Sequence, residues 1–386
     1  MPGELSLEIQ APGMDSIKLV NEQIVSFVYH ESISGCAAYD ITLATKSYSG
    51  FDTLIKQDGM AGYTFKFRYG FRNDRPQPVS ENILSDWKTL ELLEGIKRPL
   101  TENMIYSFRG LCHGHVLNRS IPEINSYGNS TISEIVSAVA GQVGLRSDVK
   151  NTTGIFKLTS GDMRCSKFLN VLRDNAYSQT GNDWRFWIRN GDTLVFKPVD
   201  VQRAADVILT DNAYAHSLNY LQLIKPKLIK SVAKQHLEDT GKIKIRYNDP
   251  LRVQVGRPFT GDITIDDNNS GFNKLSAGNL LPRQYPSRVI MTGKSKDRNT
   301  EDQTRLVAYR EGVSRFSRNA RNVYRLVSYV PYTAGLTVGS LVNVLIQQTE
   351  GMTDLNSGPW LLHTIRSMST KGVLKSMVVL EKRWEK

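Results

Sequence analysis

The stretch GNSTISEIVSAVAGQVGL, residues 128–145, carries the sharpest helix signal in the chain. Thr131 followed three residues later by Glu134 is a capping box, which satisfies two backbone N–H groups at a helix start. Ile132, Ile135, Val136, Val139, Ala140 and Val143 recur with a spacing of three and four, forming one apolar stripe. Gly144 stands where a left-handed terminal residue is wanted. This punctuated helix is surrounded by short strands and polar turns.

Upstream, SIKLVNEQIVSFVYHES (residues 16–32), AAYDITLATKS (37–47) and AGYTFKFRYGF (61–71) alternate apolar and polar residues with period two. In the last of these, Phe65, Phe67 and Tyr69 share a face with Tyr63, while Lys66 and Arg68 share the other. A further strand runs through NMIYSFRGLCHGHVLNRS (103–120). Downstream, a second helix is expected over residues 161–179, with Cys165, Phe168, Leu169, Leu172 and Ala176 on one face. WRFWIRNGDTLVFKP (184–198) then reads as a hairpin, because Asn190-Gly191 is the strongest signal for a two-residue type I′ turn. Trp184, Phe186 and Ile188 fall opposite Arg185, Trp187 and Arg189.

The pattern therefore predicts a β-rich α+β chain. Residues 1–121 form a first β-barrel domain, and residues 122–200 an inserted helix–helix–hairpin α/β module. Residues 201–386 form a second barrel domain, with an extended polar loop at 258–287 and a helix near 301–319. A length of 386 residues exceeds one ordinary core. Three cysteines, far apart and odd in number, make no disulfide framework. The start of the sequence lacks the charged and apolar regions of a secretory signal, and no apolar run is long enough to span a bilayer. No membrane insertion is expected.

Chemical sites are sparse. In CHGH, Cys112, His113 and His115 begin a metal-ligand pattern, but the remaining histidines show no paired spacing. DDNNSG offers Asp266, Asn268, Ser270 and Gly271 as half a calcium loop, yet its twelfth position is Ala277 instead of Glu. There is no nucleophile elbow and no phosphate-binding glycine loop. No carboxylate lies in an apolar run that would raise its pKa for acid catalysis. The reading is of a non-enzyme without catalytic, metal or cofactor residues.

Net charge is +11, concentrated in residues 225–257 and again through Arg305, Arg310, Arg315, Arg318, Arg321 and Arg325. Such charge suits acidic protein partners. A nucleic-acid surface is the alternative, although no nucleic-acid fold motif accompanies it. Arg315, Arg318 and Arg321 are the candidate protein-interface residues.

STISEIVSAVAGQVGL, followed by CSKFLNVLRDNAYSQTGNDWRFWIRNGDTLVFKP, resembles the tail-hub family of contractile phages. Relatives of that family include the late control protein D group and the heads of type VI secretion spikes. Its pattern is a helix with I..I...IA...GL, a helix with S..DFL..LA...G, and a strand pair ending in an aromatic and proline. Lys167 replaces the family's acidic residue before Phe168-Leu169. YVPYTAGLTVGSLVNVLI with WLLHTIRSMSTKGVLKSMVVLEKR resembles its closing barrel, with Trp360 or Leu361 at the usual tyrosine. The resemblance implies a structural baseplate hub in the virion tail, assembled in the host cytoplasm. It implies a homotrimer forming a pseudo-six-fold ring between tail tube and central spike, lining a DNA ejection channel. Implied partners are the tube, the spike, other baseplate proteins and the tape-measure protein, with DNA only in transit. A secretion-spike head and a cell-wall hydrolase of the tail tip are the alternatives; no β-helix needle or catalytic motif within residues 1–386 favours either.

Changing Arg315, Arg318 and Arg321 together to Glu should leave stability within about 0.5 kcal/mol, as at exposed helix positions. Capture of partner tail proteins should fail, because reversed charge repels. Pull-downs beside a DNA shift assay at two salt concentrations check this. Tight wild-type DNA binding that the change abolishes, with partner capture intact, would favour nucleic acid.

Overall fold

A computed structural model gives the structure of the chain. It describes residues 4–10, 15–19, 21–33, 35, 37–46, 51–52, 64–72, 83–100, 102–112, 117, 125–178, 183–199, 204–211, 220–230, 242–254, 257–266, 283–285, 324–331, 336–349, 352–353, 357–370 and 373–382. The described residues are β-rich, with two α-helices of 11 residues each, Ile132–Gln142 and Cys165–Asn175. Neither is long and apolar enough to cross a membrane.

Strand pairing runs in two circuits. In the first, Glu4–Gln10 pairs with Thr64–Arg72, which pairs with Lys88–Leu100, and that with Asn103–Cys112. The path continues through Ala38–Thr45 and Ile24–Ser32 to the long strand Gly358–Thr370. Its hairpin partner Val373–Lys382 returns to the start through Glu4 opposite Val373. In the second, Val373–Lys382 pairs with Tyr324–Val330, and that with Ile224–Lys230. The preceding Tyr220–Gln222 pairs with Ala204–Thr210, which leads through Leu341–Leu345 back to Gly358–Thr370.

The inner faces follow the period-two pattern. Leu7 lies opposite Tyr69 and Ile9 opposite Phe67, all four buried. Phe27, Tyr29, Tyr39, Ile41, Tyr106 and Phe108 join the same core. Tyr39 fits because Gly110 has no side chain; a Cβ there would overlap its ring. Trp360, Leu362, Val378, Leu380, Leu326 and Val342 fill the second circuit.

The first helix is capped as its sequence requires. Glu134 N–H donates to Thr131 Oγ1 at 3.3 Å, and Thr131 N–H donates to Glu134 Oε2 at 2.7 Å. Gly144 is left-handed, with φ of 73°. The apolar stripe buries against the second helix and the module's own strands. Docking falls to the hairpin Trp184–Arg189/Thr193–Pro198. Trp184, Ile188, Leu194 and Phe196 face the helices, whereas Trp187 and Val195 belong to the second circuit's core. Gly339 (φ +87°) lies against Trp187, leaving no room for a Cβ.

Three expectations need correction or fall elsewhere. The turn has three residues, not two, since Arg189 pairs with Thr193. Asn190 and Gly191 both have positive φ, but Asp192 is drawn out of the ladder by Arg146, at 2.6 Å. The polar loop expected at 258–287 begins as a strand, Arg257–Asp266, paired along Lys242–Gln254. Ile263 and Ile265 stand opposite Ile245 and Ile243 in that ladder, a β-branched pairing that the polar residues around it obscure. The helix expected near 301–319 lies outside the described residues.

Ile135→Asp should cost about 3 kcal/mol or more, since it places a carboxylate in a fully buried site. Soluble protein with an unchanged melting temperature would contradict it. Gly339→Ala should also lower the melting temperature, by roughly 1–3 kcal/mol of stability, through overlap with Trp187 and a φ that L-residues resist. Trp187→Ala in the same chain should recover part of the steric loss, measurable as a non-additive double-mutant cycle.

Candidate functional site

The residues that join the module to both circuits form the candidate site. The hairpin supplies two anchors. At its tip, Thr89 N–H donates to Asn190 O at 2.8 Å, and Lys88 Nζ donates to Asn190 Oδ1 at 2.5 Å. Gly191 is required here, because a Cβ would collide with Thr89 O. Lys88 also lies 3.7 Å from the buried carboxylate of Glu31, whose Oε2 accepts from Tyr29 at 2.6 Å. Burial, helped by the Glu31 charge, holds the Tyr29 hydroxyl well above its usual pKa, so it remains a donor.

The second anchor is ionic. Arg185 forms a two-point contact with Asp183, at 2.9 and 3.3 Å. Its other terminal nitrogen lies 3.8 Å from Glu381, a carboxylate 1% exposed. Arg325, on the neighbouring strand, donates twice to Glu381 Oε1, at 3.1 and 2.9 Å. His363 completes the group: Nε2 is 3.9 Å from Glu381, and Nδ1 is 2.8 Å from Thr364 Oγ1. Burial holds the His363 imidazole below its ordinary value; Glu381 opposes this, while Arg185, Arg325 and His30 add to it. Removing one member of such a buried set leaves an uncompensated charge, which typically costs about 3–5 kcal/mol.

His363 marks a switch in strand pairing. The register between the two closing strands skips it, passing from Leu362 to Thr364. On one side of this bulge, Gly358–Leu361 pairs with the second circuit; on the other, Thr364–Thr370 pairs with the first. The His363 carbonyl accepts from Ile33 N–H at 3.0 Å. A bulge bends its strand, and here the bend sits where the strand leaves one circuit for the other. The site is a clamp of charge pairs and packed side chains.

No local pattern in the sequence shows this site. Arg185 falls on the expected face, but Glu381 and His363 lie on other strands and share no motif with it. Three carboxylates, Glu31, Glu91 and Glu381, are buried at positions that no sequence motif marks. The available signal is MVVLEK (377–382), where Glu381 follows four apolar residues of its strand. Arg315, Arg318 and Arg321 lie outside the described residues, as do His113, His115 and the calcium-like residues after Asp266. Cys112 is buried at the end of its strand. Among the described residues, no group of three or more His, Cys, Asp or Glu could hold a metal. Of the basic residues, Lys225 and Lys227 are exposed and Arg325 belongs to the clamp.

No family model and no curated protein matches the sequence. Solved structures do. The 43 kDa tail protein of prophage MuSo2 from Shewanella oneidensis is 13% identical, with a TM-score of 0.60, over 97% of this chain and 98% of that one. A tail protein from Neisseria meningitidis MC58 is 9% identical, with a TM-score of 0.60, over 98% and 96%. An E. coli component of the type VI secretion system, itself structurally similar to the bacteriophage T4 tail proteins gp27 and gp5, is 10% identical. Its TM-score is 0.52, over 98% of this chain and 77% of that one. The chain has the fold shared by these phage tail and type VI secretion proteins, along nearly its whole length.

Proposed function

We propose that the protein is a structural hub of a phage tail baseplate, not an enzyme. The observation that carries this reading is the tandem of strand circuits on one shared hairpin, in a fold common to tail proteins over nearly the entire chain. A clamp of buried charge pairs fixes the module across both circuits, which suits a part that must transmit load without changing shape. In this reading residues 1–121 and 201–386 are two barrel domains, and residues 122–200 are the module between them. Three copies form a ring in which six barrels present near-six-fold symmetry to the tail tube above and three-fold symmetry to the spike below. The ring surrounds the path of DNA. Unlike surfaces on one chain can close such a ring by head-to-tail contacts. The basic stretches, including Arg315, Arg318 and Arg321, meet acidic surfaces of neighbouring subunits, the tube, the spike or other baseplate partners, since a conduit that gripped DNA would slow its passage. The assembly resides in the virion tail after formation in the host cytoplasm.

The mass of the purified protein in solution, measured by light scattering, should be three times that of one chain. A monomer at all accessible concentrations would sink the ring. Peptidoglycan cleavage in a zymogram would favour the hydrolase reading instead.

A further inference from the structure

The strand registers define one continuous outward face across eight consecutive strands. One row of residues runs from Ile224 through Tyr329, Met377 and Arg366 to His30. A parallel row runs from Lys375 through Met368, Val28, Asp40 and Arg109 to Glu94. Their strand neighbours Leu326, Val378, Leu380, Tyr29 and Phe108 are buried on the other side.

Each end of this face carries a bulge, with a cluster of exposed apolar side chains at one end and Leu93 alone at the other. At the second circuit's end the register skips from Ile224 to Lys227, and Lys225 takes a positive φ of 52°. Ile224, Ile229 and Tyr329 are 41%, 40% and 38% exposed there. At the first circuit's end the register skips Leu93, passing from Leu92 to Glu94, and Leu93 is 48% exposed. Side chains of this size are seldom left in water within clusters unless something covers them.

The two ends differ in charge. Lys225 and Lys227 are exposed and have no ion-pair partner among the described residues. The positive charge of nearby Arg325 is taken up by Glu381. At the other end Arg109 is shared between Asp40, at 3.2 Å, and Glu94, at 3.6 Å, so two carboxylates face one cation. One end is apolar and cationic, the other apolar and net anionic.

We propose that the Leu93–Glu94 bulge of one copy of this chain seats on Ile224, Lys227, Ile229 and Tyr329 of a second copy. This rests on the ring reading above and assigns its contact surface. The patches are unlike, so the contact is head-to-tail, and each copy gives one patch and receives the other. Glu94 meets Lys225 and Lys227, while Leu93 fills the apolar ground between Ile224 and Tyr329.

Native mass spectrometry of the full chain tests it. Lys225→Glu/Lys227→Glu, and separately Glu94→Lys, should weaken self-association by about tenfold or more, with unchanged near-UV circular dichroism. The three changes combined in one chain should restore assembly, which a merely misfolded variant would not. Leu93→Cys and Ile224→Cys chains, co-expressed with different tags, should form a mixed disulfide dimer under oxidation that neither forms alone. A wild-type monomer would overturn the ring and this contact together. A multimer that persists in both reversal variants and gives no mixed disulfide would overturn this contact alone, leaving the ring with another interface.

Discussion

Two strands, Gly358–Thr370 and Val373–Lys382, are shared by both circuits. Thirteen residues at about 3.3 Å each extend roughly 40 Å, so one strand can serve two rings of partners along its length. The cost is a change of direction midway, and the bulge at His363 supplies it. A bulged strand loses a ladder pairing and exposes backbone groups to the interior. The His363 carbonyl meets Ile33 N–H, and the ring meets Thr364 and Glu381. The ionic clamp is therefore located where the sheet has to bend.

The module uses the same place. Its hairpin is apolar on both faces, and Leu194 and Val195 are adjacent in sequence yet buried in different cores. Neither core would be complete without the pair of strands between them. Polar contacts at the tip and at Arg185 then fix the insertion depth and angle. Packing gives the stability in this arrangement, and the buried charges give the geometry: a buried ion pair is weak evidence of net stabilisation but costly to break.

Local structure is legible in the sequence wherever a short-range rule governs it. Thr131 and Glu134 act three residues apart, and the stripe of the first helix repeats every turn, so both are readable without a fold. The alternation in residues 61–71 likewise predicts buried Phe67 and Tyr69. The hairpin's position is legible, but its loop length is not, because Asp192 leaves the ladder for Arg146, a residue 46 positions away. The clamp is illegible for the same reason. Asp183, Arg185, Arg325, His363 and Glu381 come from four separate strands or strand ends, and only the sheet order brings them together. Sharing of the closing hairpin is equally hidden, since a strand's partners leave no trace in its own alternation. Expectations about ring, channel and partners come from family resemblance, not from any residue pattern.

The same hairpin has a kinetic consequence. Glu4 finds its partner in Val373, and both circuits close through strands that follow almost every other strand in the sequence. Contacts so remote along the chain demand loop closure before they return any energy, which slows folding. During synthesis the early strands emerge with their apolar faces and hydrogen-bonding edges uncovered, and they wait for residues 358–382 before either ring can seal. The module, whose helix, strands and turn are local, is free to fold first. Its hairpin then offers a finished apolar wall on which the unsealed strands can gather, and it shields part of their surface from aggregation during the interval.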